Sequence, residues 1–276
     1  MDLRIVNTCN NNCLYCLEQS YRGKDAFIDK DFLFKKYSWK SYATVCFYGW
    51  NPLLHPHIWD IVSFFHTNWA SSVSLLSNSL WISPHFLQAL KHKGLTGFSF
   101  YFNSFHPKIH SYLTQWWISL SQLIKNIEIL QKSQLSCKCI IHVNKLNISY
   151  LARDIGLLYK KYWINRFEFI NYFPFDRAYD KYHAILAYDS TEYENEIQKL
   201  FLIIRTYSIK ATFRKFPKDF FLNNLEYYNF ELGIIQQISL EDKERLSQKN
   251  PVCFIGKRCK FCFIKDNCPI LWTVSQ

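Results

Sequence analysis

The amino-acid sequence predicts an α/β fold, and more specifically a partial (β/α)6 barrel of the TIM type. Short runs with the residue types of β-strands alternate with longer runs of helical periodicity, which is typical of stacked βα units around a parallel sheet. This alternation repeats six times along the 276 residues. The first predicted strand leads directly into a loop that contains three cysteines, Cys9, Cys13 and Cys16.

The strands are predicted from short runs rich in β-branched and aromatic residues, and the helices from apolar residues recurring at helical spacing. Pro84 suits the first turn of its helix and Gly94 suits its end. The strands are Leu3 to Val6, Thr44 to Tyr48, Ser72 to Leu76, Gly97 to Phe102, Lys138 to Val143 and Arg166 to Tyr172. The helices are Asp31 to Tyr37, His57 to His66, Pro84 to Lys93, Ser119 to Lys132, Ile148 to Tyr162 and Glu192 to Tyr207, after which Lys210 to Phe213 is compatible with a further strand.

The composition indicates a globular chain rather than a disordered or membrane-spanning one. Hydrophobic residues make up 49% and aromatic residues 18% of the sequence, enough to bury a sizeable core. No apolar run reaches the roughly 18 residues of a membrane span, and Met-Asp-Leu-Arg is not the start of a signal peptide. We therefore expect a cytoplasmic protein, in which ten cysteines indicate metal ligation rather than disulfides.

The net charge of +11 is open to two interpretations. A basic surface would attract nucleic acid, an acidic peptide or a phosphorylated substrate. A general bias toward lysine would give the same surplus, because Asn, Ile, Phe and Tyr are also frequent and glycines number only 7. The charges are dispersed and form no block of like sign, which favours the second interpretation.

Cys9, Cys13 and Cys16 form the pattern CxxxCxxC within one short loop. Three thiolates can each ligate one iron of a cubane iron–sulfur cluster, which leaves the fourth iron with an open position for a small molecule. A zinc knuckle or three core thiols are the alternatives. Zinc requires a fourth nearby ligand, and no His follows within the next dozen residues. The spacing therefore favours a cluster with an open iron.

This pattern near the N-terminus, with Tyr15 before the last cysteine, resembles the signature of the radical SAM enzymes. In that family the open iron is chelated by S-adenosylmethionine (SAM), and an electron from the cluster releases a 5′-deoxyadenosyl radical that abstracts hydrogen from the substrate. The resemblance implies a [4Fe–4S] cluster on the three cysteines, SAM as a second cofactor, sensitivity to oxygen, and a reductant such as flavodoxin or ferredoxin.

Gly49, Trp50, Asn51 and Pro52 follow the second predicted strand and resemble the GGEP segment of the same family. The resemblance implies that the backbone of this turn contacts the amino group of SAM. Trp50 stands where the family usually has Gly, and Asn51 stands where it usually has Glu, so that the polar side chain here is neutral. An ordinary Gly-Pro turn is the alternative.

Polar residues at the ends of later strands are further candidates, because ligands of parallel sheets bind at the carboxyl ends of the strands. The resemblance implies that Asn78, Asn103 and Ser104 contact the carboxylate or ribose of SAM. It implies a similar contact to the ribose for Asn144. For Asn78, Asn103 and Ser104, capping of a loop is the alternative, and for Asn144 the alternative is anchoring of the next helix. No side chain of the sequence is assigned to catalysis.

Four further cysteines lie together near the C-terminus, with the spacing CxxxxxCxxCxxxxxC. They are Cys253, Cys259, Cys262 and Cys268. A zinc site with four cysteine ligands is one interpretation. The spacing, followed by Pro269, is similar to the SPASM extension of peptide-modifying radical SAM enzymes, and the single auxiliary [4Fe–4S] cluster of the shorter Twitch form fits better because Trp272 replaces the next cysteine. We expect a core over residues 1–215 and a cysteine-rich iron–sulfur extension over residues 216–276.

The remaining cysteines, Cys46, Cys137 and Cys139, are expected to be small buried residues, with a hydrogen-donating thiol as the alternative. By resemblance, the substrate is a ribosomally made peptide that is modified after synthesis. Only eight residues precede Cys9, so we expect a separate protein to deliver that peptide. The alternatives are a radical SAM enzyme that acts on a small metabolite, sugar or nucleotide, and a non-catalytic protein that binds nucleic acid through a metal site of four cysteines.

Overall fold

The computed structural model describes residues 1–16, 26–38, 41–49, 51–68, 70–79, 82–115, 120–172, 181–182, 184–187, 190–214 and 216. The strands in these ranges are β1 (Asp2–Val6), β2 (Tyr42–Gly49), β3 (Ala70–Ser77), β4 (Gly97–Tyr101), β5 (Ser136–Val143), β6 (Arg166–Asn171) and β7 (Lys210–Arg214). The α-helices are α1 (Lys30–Tyr37), α2 (Ile58–Asn68), α3 (Pro84–His92), α4 (Pro107–Thr114), α5 (Leu120–Lys132), α6 (Leu151–Tyr162) and α7 (Ser190–Thr206), and 3-10 helices lie at Pro52–Leu54 and Ile148–Tyr150.

The strands form one parallel sheet in the order β1-β2-β3-β4-β5-β6-β7. Parallel neighbours require a crossover connection, which helices supply between most of the strands. In the ranges given above, no ladder joins β7 to β1, so the sheet is open. The α/β class is confirmed, and the sheet has seven strands instead of the six of the predicted (β/α)6 barrel. The seventh is the further strand expected at Lys210 to Phe213, which extends to Arg214.

The helices pack on one face of the sheet through buried aromatic rings. The ring of Phe47 in β2 lies 5.2 Å from that of Phe65 in α2, and the ring of Phe213 in β7 lies 5.2 Å from that of Phe201 in α7. Because successive side chains of a strand point to opposite faces, the residues next to these rings point away from the helices. That opposite face is rich in polar side chains, namely Arg4, Tyr48, Lys138, His142, Glu168 and Arg214.

Three charged side chains on this polar face connect the last three strands. Oε2 of Glu168 accepts a hydrogen bond from Nζ of Lys138 at 2.6 Å, and Oε1 accepts one from Nη1 of Arg214 at 2.8 Å. Burial raises the pKa of Glu168, but the two cations outweigh burial and hold the pKa below its ordinary value of 4.5. Glu168 is therefore a buried carboxylate that links β5, β6 and β7.

Helix α4 was not predicted by the sequence pattern. It begins with Pro107 in its first turn, after His106, whose side chain does not cap the helix, and it ends at Gln115 with a φ of 50°. It contains only eight residues, and short helices depend on tertiary packing more than on their own propensity. Ile109 and Leu113 are its aliphatic contacts with the core, too few to give a periodic signal.

None of the helices in the described ranges has both the length and the apolar character needed to cross a bilayer. The expected C-terminal extension over residues 216–276 lies outside the described residues, apart from Phe216.

Candidate functional site

The carboxyl ends of the parallel strands meet at one edge of the sheet, where the loops bring polar side chains together. The loop after β1 contains the three cysteines, which are partly exposed. The loops after the next four strands each contribute a buried amide to the same edge. These amides are Asn51, Asn78, Asn103 and Asn144. Buried amides need hydrogen-bond partners, so the contacts among these side chains determine the shape of the site.

The cysteine loop is held by the C-terminal end of α4. The backbone N–H of Asn12 donates to the carbonyl of Thr114 at 3.2 Å, and that of Leu14 donates to the carbonyl of Leu113 at 2.9 Å. The last carbonyls of a helix have no partner within the helix, and these bonds therefore satisfy them. The helix that the sequence did not predict thus positions the predicted cysteines.

The three thiols are close enough to influence one another. Burial raises the pKa of Cys13 far above its ordinary value of 9.0, and the charges of Cys16 and Cys9 raise it further. Three thiolates in this loop therefore require a positive group to neutralise them. An iron–sulfur cluster meets that need, because each thiolate binds a different iron.

Tyr15 packs at the sheet edge next to these cysteines. Its ring stacks on that of His142 with centroids 4.6 Å apart, and the ring of His142 also stacks with that of Tyr101 at 5.7 Å. Burial raises the pKa of the Tyr15 phenol well above 10.0, Cys13 raises it further, and a hydrogen bond with Asn103 lowers it in part. Tyr15 is therefore a neutral phenol that fixes the cysteine loop against β4 and β5.

The turn after β2 requires glycine at its first position. Gly49 has a φ of +132°, and a Cβ built there would lie 2.2 Å from the carbonyl oxygen of Val6. These two residues are partners in the ladder between β1 and β2. Pro52 then begins a 3-10 helix, while Trp50 lies outside the described residues. Glycine at this position lets β2 approach the end of β1 just before the cysteine loop.

Asn51 is fully buried and connects the turn after β2 to the cysteine loop. Its Oδ1 accepts hydrogen bonds from the hydroxyl of Ser77 at 2.8 Å and from the backbone N–H of Leu53 at 3.3 Å. Its Nδ2 donates to Oδ1 of Asn10 at 3.4 Å. The side chain of Asn51 is therefore part of a network of neutral groups.

Asn78 approaches the cysteine loop from the end of β3. Its Nδ2 donates to Oδ1 of Asn10 at 2.7 Å and lies 3.8 Å from Sγ of Cys9, within the range of a hydrogen bond to sulfur. The backbone N–H of Asn11 donates to the same sulfur at 3.3 Å. Asn78 therefore contacts the cysteine loop directly, at its first cysteine.

Ser104 has the contacts of a loop-capping residue. Its hydroxyl donates to Oδ2 of Asp154 at 2.7 Å and accepts from the backbone N–H of His106 at 3.0 Å. Asp154, which is buried in α6, also accepts from the backbone N–H of Phe105 at 3.0 Å. The loop after β4 is thus held to α6 through one carboxylate.

Asn144 also caps its own loop, whereas Asn103 keeps an unused acceptor. Nδ2 of Asn144 donates to the carbonyl of His142 at 3.0 Å, and its Oδ1 accepts from the backbone N–H of Leu146 at 3.0 Å. Nδ2 of Asn147 donates to the backbone carbonyl of Asn103 at 3.2 Å. Oδ1 of Asn103 is buried and has no partner within the part of the chain that the structure describes, so it is available to a ligand at this edge.

Sequence reasoning missed three contributors to the site, Asn10, Ser77 and Asp154. Asn10 lies inside the cysteine pattern and Ser77 directly precedes Asn78, so their positions were a usable signal. Asp154 follows the helical spacing of the buried residues Leu151 and Leu158. A carboxylate on the apolar face of a helix indicates a buried polar contact.

The other predicted site residues lie outside the described residues, so the structure does not place them relative to the cysteine loop. They are Trp50, Cys253, Cys259, Cys262 and Cys268.

Comparison with known protein families adds an independent observation. A family model described as the radical SAM superfamily matches residues 3–158, more than half of the 276 residues. The matched segment contains the cysteine loop, all of β1 except Asp2, and the strands from β2 to β5. No curated protein sequence matches the chain.

Solved structures with a similar fold include SuiB of Streptococcus suis bound to S-adenosylmethionine, with a TM-score of 0.62 and 14% identity, covering 82% of this chain and 52% of SuiB. They also include anSMEcpe with bound AdoMet and the Kp18Cys peptide, with a TM-score of 0.61 and 15% identity, covering 77% of this chain and 63% of anSMEcpe. At such identities the likeness shows a shared fold. The chain spans about half the length of SuiB.

Proposed function

Because the chain belongs to the radical SAM superfamily, we propose that it is an enzyme that cleaves SAM reductively and uses the resulting radical to abstract hydrogen from a substrate. One observation supports this proposal above the others: the loop of Cys9, Cys13 and Cys16 lies at the carboxyl edge of the parallel sheet. Ligands of such sheets bind at this edge. The proposed cluster would therefore stand where a substrate can reach it.

The three cysteines would hold a [4Fe–4S] cluster, which, when bound, supplies the electron that splits SAM into methionine and a 5′-deoxyadenosyl radical. The described residues position that loop. Helix α4 fixes the loop backbone through Leu113 and Thr114, and the ring of Tyr15 stacks on that of His142 in β5. A fixed loop would hold the cluster in one place relative to SAM and the substrate.

SAM would bind next to this loop, at the ends of β2 and β4. The turn at Gly49, Trp50 and Pro52 would offer backbone groups to its amino group. Oδ1 of Asn103 is the buried acceptor that remains available for a hydroxyl or N–H of the ligand. Ser104 and Asn144 are engaged in capping their loops, so we propose that they shape the site. Asn51 would contribute through its network of neutral side chains.

The substrate we favour is a ribosomally made peptide presented by a separate recognition protein. Support comes from fold relatives: SuiB has been solved bound to its precursor peptide SuiA, at 14% identity to this chain, and anSMEcpe has been solved with a peptide. The competing proposal is a small metabolite, sugar or nucleotide. A flavodoxin or ferredoxin would supply the electron. The four C-terminal cysteines would hold a second [4Fe–4S] cluster, with zinc as the alternative.

The test is anaerobic reconstitution with iron and sulfide, followed by metal counting and by assay of 5′-deoxyadenosine release from SAM under reductant. About eight irons per chain and SAM cleavage are expected, and about four irons plus one zinc would assign the C-terminal group to zinc. Absence of SAM cleavage together with salt-dependent binding of nucleic acid would contradict the enzymatic proposal.

Cys9→Ala should abolish SAM cleavage and lower the iron content by about four. Cys137→Ala is the matched control, because Cys137 lies at the amino end of β5, away from the cysteine loop, and its Sγ contacts the backbone carbonyl of Leu130. It should leave both the iron content and the cleavage rate unchanged. Equal losses in the two variants would indicate a general effect on folding and would contradict the assignment of the loop.

A further inference from the structure

Three buried or half-buried asparagine side chains next to Cys9 form a network whose orientation is fixed by the backbone. The backbone N–H of Leu53 can only donate, so the atom of Asn51 that it contacts at 3.3 Å has to be Oδ1. Nδ2 of Asn51 then faces Asn10 and donates to Oδ1 of that residue. The assignment of oxygen and nitrogen in Asn10 follows from the same reasoning.

Oδ1 of Asn10 accepts from both Asn51 and Asn78, which leaves Nδ2 of Asn10 as a further donor. That nitrogen is buried and has no hydrogen-bond partner in the residues that the structure describes. Asn78 meanwhile places its own Nδ2 3.8 Å from Sγ of Cys9. The network therefore contains two amide nitrogens that can donate. That of Asn78 lies at the sulfur of Cys9, and that of Asn10 belongs to a residue of the cysteine loop itself.

Hydrogen bonds to the sulfurs of an iron–sulfur cluster influence its reduction potential. Reduction adds one negative charge to the cluster, and N–H dipoles that point at a ligand sulfur stabilise that charge. Asn51, Asn10, Asn78 and Ser77 are all neutral, so no carboxylate in the network opposes this effect.

We propose that the Asn51–Asn10–Asn78 network raises the reduction potential of the cluster held by the three cysteines, by directing the amide N–H of Asn78 at Sγ of Cys9. The inference rests on the proposed function, because it presupposes the cluster. Asn78 and Asn10 are positioning residues in this scheme. They act on the electron that the cluster accepts, and they need no contact with the substrate.

The experiment is a redox titration of the full reconstituted chain, followed by electron paramagnetic resonance. The signal that changes when SAM is added identifies the cluster with the open iron. At a fixed potential we expect Asn78→Ala to lower the ratio of reduced to oxidised cluster about tenfold, which corresponds to about 59 mV for a one-electron couple. Asn78→Asp, which keeps the size but replaces the N–H donor with a carboxylate oxygen, should lower it further.

Asn10→Ala is the second variant, since it removes the acceptor that orients Asn78 but leaves the cysteines and Asn78 in place. It should shift the potential in the same direction. Asn68→Ala is the matched control, because the amide of Asn68 donates to the carbonyl of Phe64 at the exposed end of α2. The reduction potential of the cluster in this variant should equal that in the unmodified protein.

An unchanged or higher potential in Asn78→Ala, Asn78→Asp and Asn10→Ala, at full iron content, would overturn the inference while leaving the proposed function intact. Failure of the unmodified protein to bind any cluster would contradict the proposed function itself. The two failures are therefore distinguished by the same set of samples.

Discussion

At the scale of single residues, Gly49 determines how closely the second strand can approach the cysteine loop. Gly49→Ala places a Cβ 2.2 Å from the carbonyl oxygen of Val6, at a φ of +132°. We expect the free energy of unfolding to fall by more than about 1 kcal/mol, because the backbone has to move to relieve the clash. SAM should also bind more weakly, because the movement separates β2 from β1. Chemical denaturation and calorimetric titration with SAM measure the two effects.

Gly156→Ala is the control for that substitution. Gly156 lies inside α6, and a Cβ there would meet nothing within 4 Å. Alanine should raise the free energy of unfolding by about 0.5–1 kcal/mol, because glycine is unfavourable inside a helix. Similar destabilisation by both substitutions would contradict the role assigned to Gly49.

The residues of the site differ in how far the sequence could predict them. Cys9, Cys13 and Cys16 were accessible because their spacing is itself the chemical signal. The role of Asn10 could not be predicted from the sequence. It depends on hydrogen bonds from Asn51 and Asn78, which follow two other strands. An asparagine between cysteines has no distinctive pattern, and only the parallel sheet brings its partners to it.

At the scale of secondary-structure elements, Glu168 joins three strands through its two cations. Glu168→Gln keeps the shape but leaves the cations Lys138 and Arg214 without their anion. We expect a loss of roughly 2–3 kcal/mol in the free energy of unfolding, less than for a wholly buried pair, because the side chain of Lys138 is 34% exposed and that of Arg214 17%. Urea denaturation at neutral pH measures the loss.

The pH dependence of that stabilisation has a defined sign. The pKa of Glu168 is lower in the folded protein than its ordinary value of 4.5, so the stabilisation is complete above the unfolded pKa. It is lost as the pH falls through the folded pKa. The difference in unfolding free energy between the unmodified protein and Glu168→Gln should therefore shrink below about pH 4.5.

Asp60→Asn is the control for the ion pairs. Asp60 pairs with Lys30 at 3.8 Å, with side chains 54% and 31% exposed, and exposed pairs contribute under about 1 kcal/mol. If Asp60→Asn lowered the free energy of unfolding as much as Glu168→Gln, the larger contribution expected for the buried ion pairs would be contradicted.

The elements themselves were predictable where burial imposes a pattern. Strands such as β3 and β5 have apolar residues at alternate positions on the helix-covered face, for example Val73 and Leu75, and this alternation survives in the sequence. Helix α4 was not predictable, because its main contribution is made by its terminal carbonyls. Every residue type has a backbone carbonyl, so hydrogen bonds to these carbonyls do not restrict which side chains occur there.

At the scale of the whole molecule, the two groups of cysteines should contribute separately to the metal content. Replacing Cys253, Cys259, Cys262 and Cys268 together by alanine should remove about four of about eight irons, because one cluster loses all its ligands. Release of 5′-deoxyadenosine from SAM should continue, since the loop of the first three cysteines is untouched. Metal analysis and product chromatography measure both quantities.

An unchanged iron content of about four, with the loss of one zinc, would contradict an auxiliary cluster and support a structural zinc site. The variant Cys137→Ala again serves as the control and should change neither the iron content nor the zinc content.

The arrangement of the sheet followed from general rules of chain topology, because successive βα units place neighbouring strands in sequence order. The number of strands did not follow in the same way. The β7 segment Lys210–Arg214 contains two basic residues among its five, and its strand character comes from pairing with β6 and from Phe213, which packs on α7.

The bonds from Asn12 and Leu14 to Thr114 and Leu113 also bear on how the protein is made. Each strand pairs with the one synthesised just before it, so the sheet can grow as the chain leaves the ribosome. The cysteine loop is synthesised before α4, so it lacks these two bonds until α4 has formed. During that interval its thiols are exposed to oxidation. A cluster would therefore find the cysteine loop in its final conformation only after α4 has folded against it.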